Sequence, residues 1–243
     1  MIFSQKYVTR WHDTDACRRV RATQLLVYMQ ETSNHHLQAC GISLDELRDR
    51  HSLAFILSKI RLAIYRPLYA FEEIEVQTWT GEEHGLSIPR FYRILRDGET
   101  VAEADTVWAL VNLDTQALVK GSECKILNFE HECFPTLDIP TRFSIPKGVE
   151  LSSVGKRRIV WSDLDYNMHM NNTRYPDMLC DFIAPEDIGK IKGFLLSYVN
   201  EAAFTDELDV RCARADDSYF FRTVNSAGKT CLDARIILSE NAL

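Results

Sequence analysis

A chain of 243 residues that is 46% apolar, with a formal net charge of −7, can bury one large core or two small ones, and its acidity argues against a general nucleic-acid binder. No apolar run approaches the roughly 20 residues a membrane-spanning helix needs, and the opening Met-Ile-Phe-Ser-Gln-Lys lacks signal-peptide character, so the cytoplasm is the expected compartment. Seven scattered cysteines without a Cys-x-x-Cys spacing read as reduced thiols rather than as disulfides or a zinc site.

In chain order, an opening strand is followed by a helix from about Thr23 to Cys40. Leu25, Leu26, Met29, Ser33, Leu37 and Cys40 make its apolar or small face, and Gly41 stops it. His35-His36 on this helix lacks partners at metal-ligand spacing. Ser43 to Glu46 has capping-box spacing and opens a shorter helix. Strands follow at about Ala54 to Tyr65, Glu73 to Thr80, Leu86 to Arg96 and Thr100 to Leu113, with Asp97-Gly98 as a hairpin turn between the last two. From about Gly121 to Lys147 the pattern loosens around Pro135, Pro140 and Pro146, which reads as a connector. Beyond it come a strand at about Lys156 to Trp161, a helix at about Asn172 to Ile183, and strands near Gly193 to Phe204, Leu208 to Ala213, Tyr219 to Asn225 and Thr230 to Leu238. The expected division is a first unit over 1–120, a connector over 121–150 and a second unit over 151–243.

Trp161 to Tyr175, W-S-D-L-D-Y-N-M-H-M-N-N-T-R-Y, carries the chemistry. Asp165, Asn167 and His169 recur at every second position. In an extended segment a carboxylate, an amide and an imidazole would therefore converge on one side, just ahead of a helix opened by Asn171-Asn172-Thr173. The same frame appears earlier. Trp11-His12-Asp13-Thr14-Asp15 lines up with Trp161-Ser162-Asp163-Leu164-Asp165, which puts Cys17 opposite Asn167 and Arg19 opposite His169. Leu57-Ser58 matches Leu196-Ser197, and Glu73 to Val76 matches Glu207 to Val210. The chain reads as a duplication whose polar trio survives in the second copy.

An α+β architecture follows, two helix-wrapped antiparallel sheets packed as an internal pseudo-dimer. The chain resembles the acyl-ACP thioesterase family, built as a double hotdog fold. The resemblance is carried by Trp161 to Tyr175, Ile56-Leu57-Ser58-Lys59, Tyr65-Arg66-Pro67, Glu75 to Trp79, Gly98-Glu99 and Ala104 to Trp108. It implies a catalytic cluster of Asp165, Asn167, His169 and Glu201. It also implies acyl carrier protein bearing a fatty acyl chain as substrate partner, and no cofactor. Glu201 is expected in a strand beside Ala202, Ala203 and Phe204, partly desolvated if it faces inward. Backbone N–H groups near Asn171 and Asn172 are expected to polarise the thioester carbonyl, and Leu25, Leu26 and Met29 to border an acyl tunnel unless they are ordinary core. The basic clusters Arg18 to Arg21 and Lys156 to Arg158 become docking sites for an acidic carrier.

Two departures from the family pattern stand out. Ala202 occupies a position often held by cysteine, which excludes a thiol nucleophile there. Met168 and Met170 flank His169 in place of smaller or polar residues, and either alter the pocket wall or fill it. Which carboxylate is base or nucleophile stays open, as do acyl length and a homodimer. Competing readings are an acyl-CoA thioesterase, a hotdog hydratase and a non-catalytic acyl sensor.

Overall fold

The computed structural model describes residues 2–124, 127, 130–132, 137 and 144–241. Most of the Pro-rich part of the expected connector, Pro135 and Pro140 included, lies outside these. The first half runs β1 (Phe3–Val8), α1 (Ala22–Ala39), α2 (Leu44–His51), β2 (Leu53–Ile64), β3 (Glu73–Thr80), β4 (Ile88–Arg96), β5 (Glu99–Asn112) and a two-residue β6 (Leu118–Val119). The second half repeats the order with β7 (Ser152–Arg158), α3 (Tyr175–Cys180), α4 (Pro185–Ile188), β8 (Ile191–Tyr198), β9 (Glu207–Ala215), β10 (Ser218–Val224) and β11 (Thr230–Leu238).

Among the described residues all strands join one antiparallel sheet, in the order β1-β3-β4-β5-β2-β8-β11-β10-β9-β7, with β6 on β5. The β2–β8 ladder joins the halves, and Arg61 stands opposite Leu195 there. At this seam a Cβ on Gly193 would lie 2.7 Å from the Leu62 carbonyl oxygen, so only glycine allows the two backbones to pair. Asp97 and Gly98 both take positive φ, 52° and 78°, and form the tight turn expected between β4 and β5.

The 18-residue α1 lays Leu25, Leu26, Tyr28, Met29 and Leu37 against the sheet. Each such apolar side chain stabilises the fold by roughly 1.5–3 kcal/mol on burial. Ser43 caps α2 as expected, its side chain accepting from Glu46 N at 3.2 Å. Cys40 lies past the end of α1 and is exposed, so it is not part of the packed face. The second helix is much shorter than its pattern predicts. Asn172–Arg174 forms a 3-10 turn and α3 adds six residues, because the apolar run at Tyr175, Met178 and Leu179 covers only two turns before the chain bends away. Trp161 likewise leaves its strand and starts a 3-10 turn, Trp161–Asp163.

Hydrogen bonds verify the duplication. Thr9 N donates to Glu72 O and Ile159 N to Asp206 O, while Val20 N donates to Leu68 O and Met170 N to Ala202 O. The equivalence of Glu73 and Glu207 holds, since each opens the strand beside β1 or β7. The expected match of Leu57-Ser58 with Leu196-Ser197 does not hold. Carried back along β2 and β8 from Leu68 and Ala202, the equivalence makes Leu62, which pairs with Phe194, the counterpart of Leu196, and β2 has a register break between Leu57 and Lys59. By the same register Pro67 occupies the place of Glu201.

Candidate active site

Asp165 to His169 is a tight turn, not the extended segment that alternation suggests. Asp165 N donates to His169 O at 2.9 Å, Met168 N donates to Asp165 O at 3.1 Å, and Met168 has φ 66°. The Asp165 carboxylate accepts Asn167 N at 2.8 Å, an Asx turn that locks the loop. The first half builds the same turn: Asp15 accepts Cys17 N at 2.8 Å and Arg19 N at 3.0 Å, and Arg18 has φ 64°. Asp13 and Asp163 are the buried acids of these two loops, each accepting a backbone N–H from three residues before.

The turn delivers His169 to Glu201, with Nε2 3.1 Å from Oε2. The positions are set by backbone pairing, a bridge between His169 and Ala203 and the Met170 to Ala202 bond. Glu201 is not in a strand. After Tyr198 the chain leaves the sheet, and Val199 N and Asn200 N both turn to Cys231 O. The expected desolvation is also absent, since the Glu201 side chain is 65% exposed beside a His169 that is 32% exposed. Cys231 lies beneath, its Sγ 3.5 Å from Glu201 O, but it is buried and burial pushes its thiol up to about 11, which keeps it an unreactive thiol.

Asn167, on the same turn, borders a cavity of about 150 Å³ walled by the first half. Leu37, Leu44, Leu47, Phe55, Ile88 and Trp108 make it largely apolar, and Tyr166 and Asn167 are its contribution from the second half. Leu25, Leu26 and Met29 are buried in the core and do not line this cavity, although Leu25 borders a second one; α1 lines this cavity farther along, through Gln30, Ser33, Asn34 and Leu37. The Asn171 N–H donates to Asp163 O at 2.8 Å and is not available to a substrate carbonyl. Met170 is buried in the core and Met168 is exposed.

Two contacts were not foreseen. Arg48 on α2 donates from Nη1 to Asn167 Oδ1, and its guanidinium stacks 4.3 Å from the Tyr166 ring centroid. Gln30 Nε2 on α1 donates to Asn172 Oδ1 at 2.7 Å. No local motif signals either one, because the partners are 119 and 142 residues apart in sequence. At the counterpart position, a cavity of about 300 Å³ lies between the Asp15–Arg19 turn and residues such as Cys180, Asp181 and Ile188. There Arg19, in the place of His169, donates to Gly189 O at the end of α4.

The basic clusters are partly neutralised. Lys156 pairs with Glu207 at 2.6 Å, Arg157 with Asp163 at 2.8 Å, and Arg21 with Asp177 at 3.6 Å. His36, set aside as a metal ligand, is buried with its Nδ1 3.1 Å from Arg90 Nη1.

Two helix-backed antiparallel units fused through one sheet, with a polar turn of one unit on the cavity of the other, define a double hotdog protein. The chain matches the acyl-ACP thioesterase N-terminal domain over residues 1–123 and the C-terminal domain over residues 148–238. It belongs to the acyl-ACP thioesterase family. Solved structures with the same fold include an acyl-ACP thioesterase from Bacteroides thetaiotaomicron, with TM-score 0.87 and 22% identity over 98% of both chains. Another is the 12:0-ACP thioesterase from Umbellularia californica, with TM-score 0.82 and 18% identity over 98% of this chain and 97% of that one. Among curated relatives, palmitoyl-acyl carrier protein thioesterase of Cuphea hookeriana is 25% identical over 76% of this chain. Oleoyl-acyl carrier protein thioesterase 1 of Arabidopsis thaliana is 26% identical over 85% of it. The chain spans 48% and 62% of the length of these two relatives.

Proposed function

We propose that this chain hydrolyses the thioester of a fatty acyl group carried on acyl carrier protein, releasing the fatty acid and the free carrier. The observation that carries the reading is the His169–Glu201 pair at 3.1 Å, on the same turn as an Asn167 that rims an apolar cavity. A carboxylate that holds one ring nitrogen of an imidazole fixes the ring for proton transfer through the other, so His169 and Glu201 together activate a water molecule. The water oxygen bonds to the acyl carbon, the carbon–sulfur bond breaks, and the proton taken from water ends on the departing thiolate. Asn167 orients water or the thioester carbonyl with its amide N–H. Asp165 holds the turn that presents both. The acyl chain occupies the apolar cavity, and the exposed Trp161, Tyr166, Met168, Val199 and Phe204 give this face an apolar surface for the pantetheine arm and its carrier. Such an enzyme acts in fatty acid biosynthesis, in a reducing compartment such as the cytoplasm, and its described cysteines are free thiols.

Free-thiol release from acyl-ACP and from acyl-CoA tests the reading. Turnover is expected with acyl-ACP and slower turnover with acyl-CoA; equal or faster cleavage of acyl-CoA would overturn the choice of carrier. Asp165→Ala, Asn167→Ala, His169→Ala and Glu201→Ala are expected to fold and to lose cleavage, the His169 and Glu201 variants by at least about 100-fold. Full activity in all four would refute the site.

A further inference from the structure

The site takes one side chain from an unexpected quarter. Leu44, Leu47 and Arg48 share one face of α2, three and four residues apart. Leu44 and Leu47 wall the cavity, while Arg48 reaches across the junction of the halves to the Asn167 amide oxygen and sits over the Tyr166 ring. An asparagine amide can be turned either way with little change of shape, which exchanges its donor and acceptor ends. A guanidinium only donates, so its bond to Oδ1 fixes the oxygen toward α2 and leaves the Nδ2 donors for the other side. Stacking on Tyr166, the residue before Asn167, holds the same loop a second time.

We infer that Arg48 is a positioning residue for the reacting centre: it sets the amide of Asn167 with its donor end toward the thioester and ties the turn of the second half to the cavity wall of the first. The inference rests on the proposed hydrolysis for its kinetic consequence, but not for its structural one. A residue that acts through Asn167 alters the chemical step more than binding, and its effect disappears when Asn167 is absent.

The test uses the full chain with a medium-chain acyl-pantetheine thioester, which removes carrier docking from the measurement. Arg48→Ala is expected to lower kcat on the order of tenfold with KM changed by less than about twofold, and to add less than about twofold in an Asn167→Ala background. Arg48→Lys, which can donate to Oδ1 without the planar stack on Tyr166, is expected to recover part of the loss. The Asn167 side-chain 1H–15N amide pair, assigned by its absence in Asn167→Ala, is expected to stand apart from exposed asparagines in the wild type and to join them in Arg48→Ala. Losses that multiply across the two variants, a change confined to KM, or an Asn167 amide signal indifferent to Arg48 would overturn the assignment. A wild-type protein that cleaves no thioester would remove the proposed function, and the amide signal alone would then decide the role of Arg48.

Discussion

The Asp165 carboxylate accepts the backbone N–H of Asn167 as Asp15 accepts that of Cys17, although the first-half turn carries Cys17 and Arg19 where the second has an asparagine and a histidine. The aspartate is therefore part of what makes the turn, and Asn167 and His169 are what the second-half turn carries beyond it. His36 illustrates a buried group outside this chemistry. Burial, and then the neighbouring Arg90 guanidinium, hold its imidazole down at about 4 against an ordinary 6.5. Between these values the unfolded chain binds a proton that the folded chain does not, so stability is full above about pH 6.5 and falls as pH drops toward about 4. The slope from this one group is at most about 1.4 kcal/mol per pH unit. Urea melts across this interval are expected to show a flatter pH dependence for His36→Gln than for the wild type, and parallel curves would refute it. The Asp-x-Asn-x-His spacing was legible from sequence, but the conformation that uses it was not. Met168 adopts positive φ without being glycine or asparagine, so alternation pointed to a strand where the chain makes a turn. Arg48 was illegible for a different reason, since its partner comes from the other half of the chain.

The strands were the most readable elements. β3 and β11 have the bounds their patterns predict, and Asp97-Gly98 marks the β4–β5 turn. Apolar runs misled where they outlast the ladder: the run through Tyr198 to Phe204 continues after the strand ends, and so Glu201 was expected in a sheet. The cluster Lys156 to Arg158 lies on β7, which closes one end of the sheet among the described residues. Charges there also protect an edge from pairing with another chain, a reason for them that needs no carrier. The β2–β8 seam is tightly constrained at Gly193. Gly193→Ala would drive a methyl group into the Leu62 carbonyl and is expected to cost about 2 kcal/mol, lowering Tm by roughly 4–8 °C. A melting temperature equal to the wild type would show that the ladder yields at this point.

At the scale of the whole molecule, the core is common property. One cluster of buried side chains includes Leu26, Met29, Ile60 and Val76 from the first half with Met170, Leu179, Phe194 and Ile236 from the second. With one sheet and a shared core, thermal unfolding is expected as a single transition. The far-UV circular dichroism of both halves and the emission of the buried first-half Trp79 should share one midpoint, and two separated midpoints would contradict this. The cavity belongs to one half and the turn that serves it to the other, which gives the duplication a lasting consequence. If the chain acts as proposed, selection for what is bound falls on one copy and selection for what is done to it falls on the other. Under the proposed function, a lineage could thus retune the cavity wall by changes in one copy, Arg48 apart, while His169 and Glu201 of the other copy stay in place.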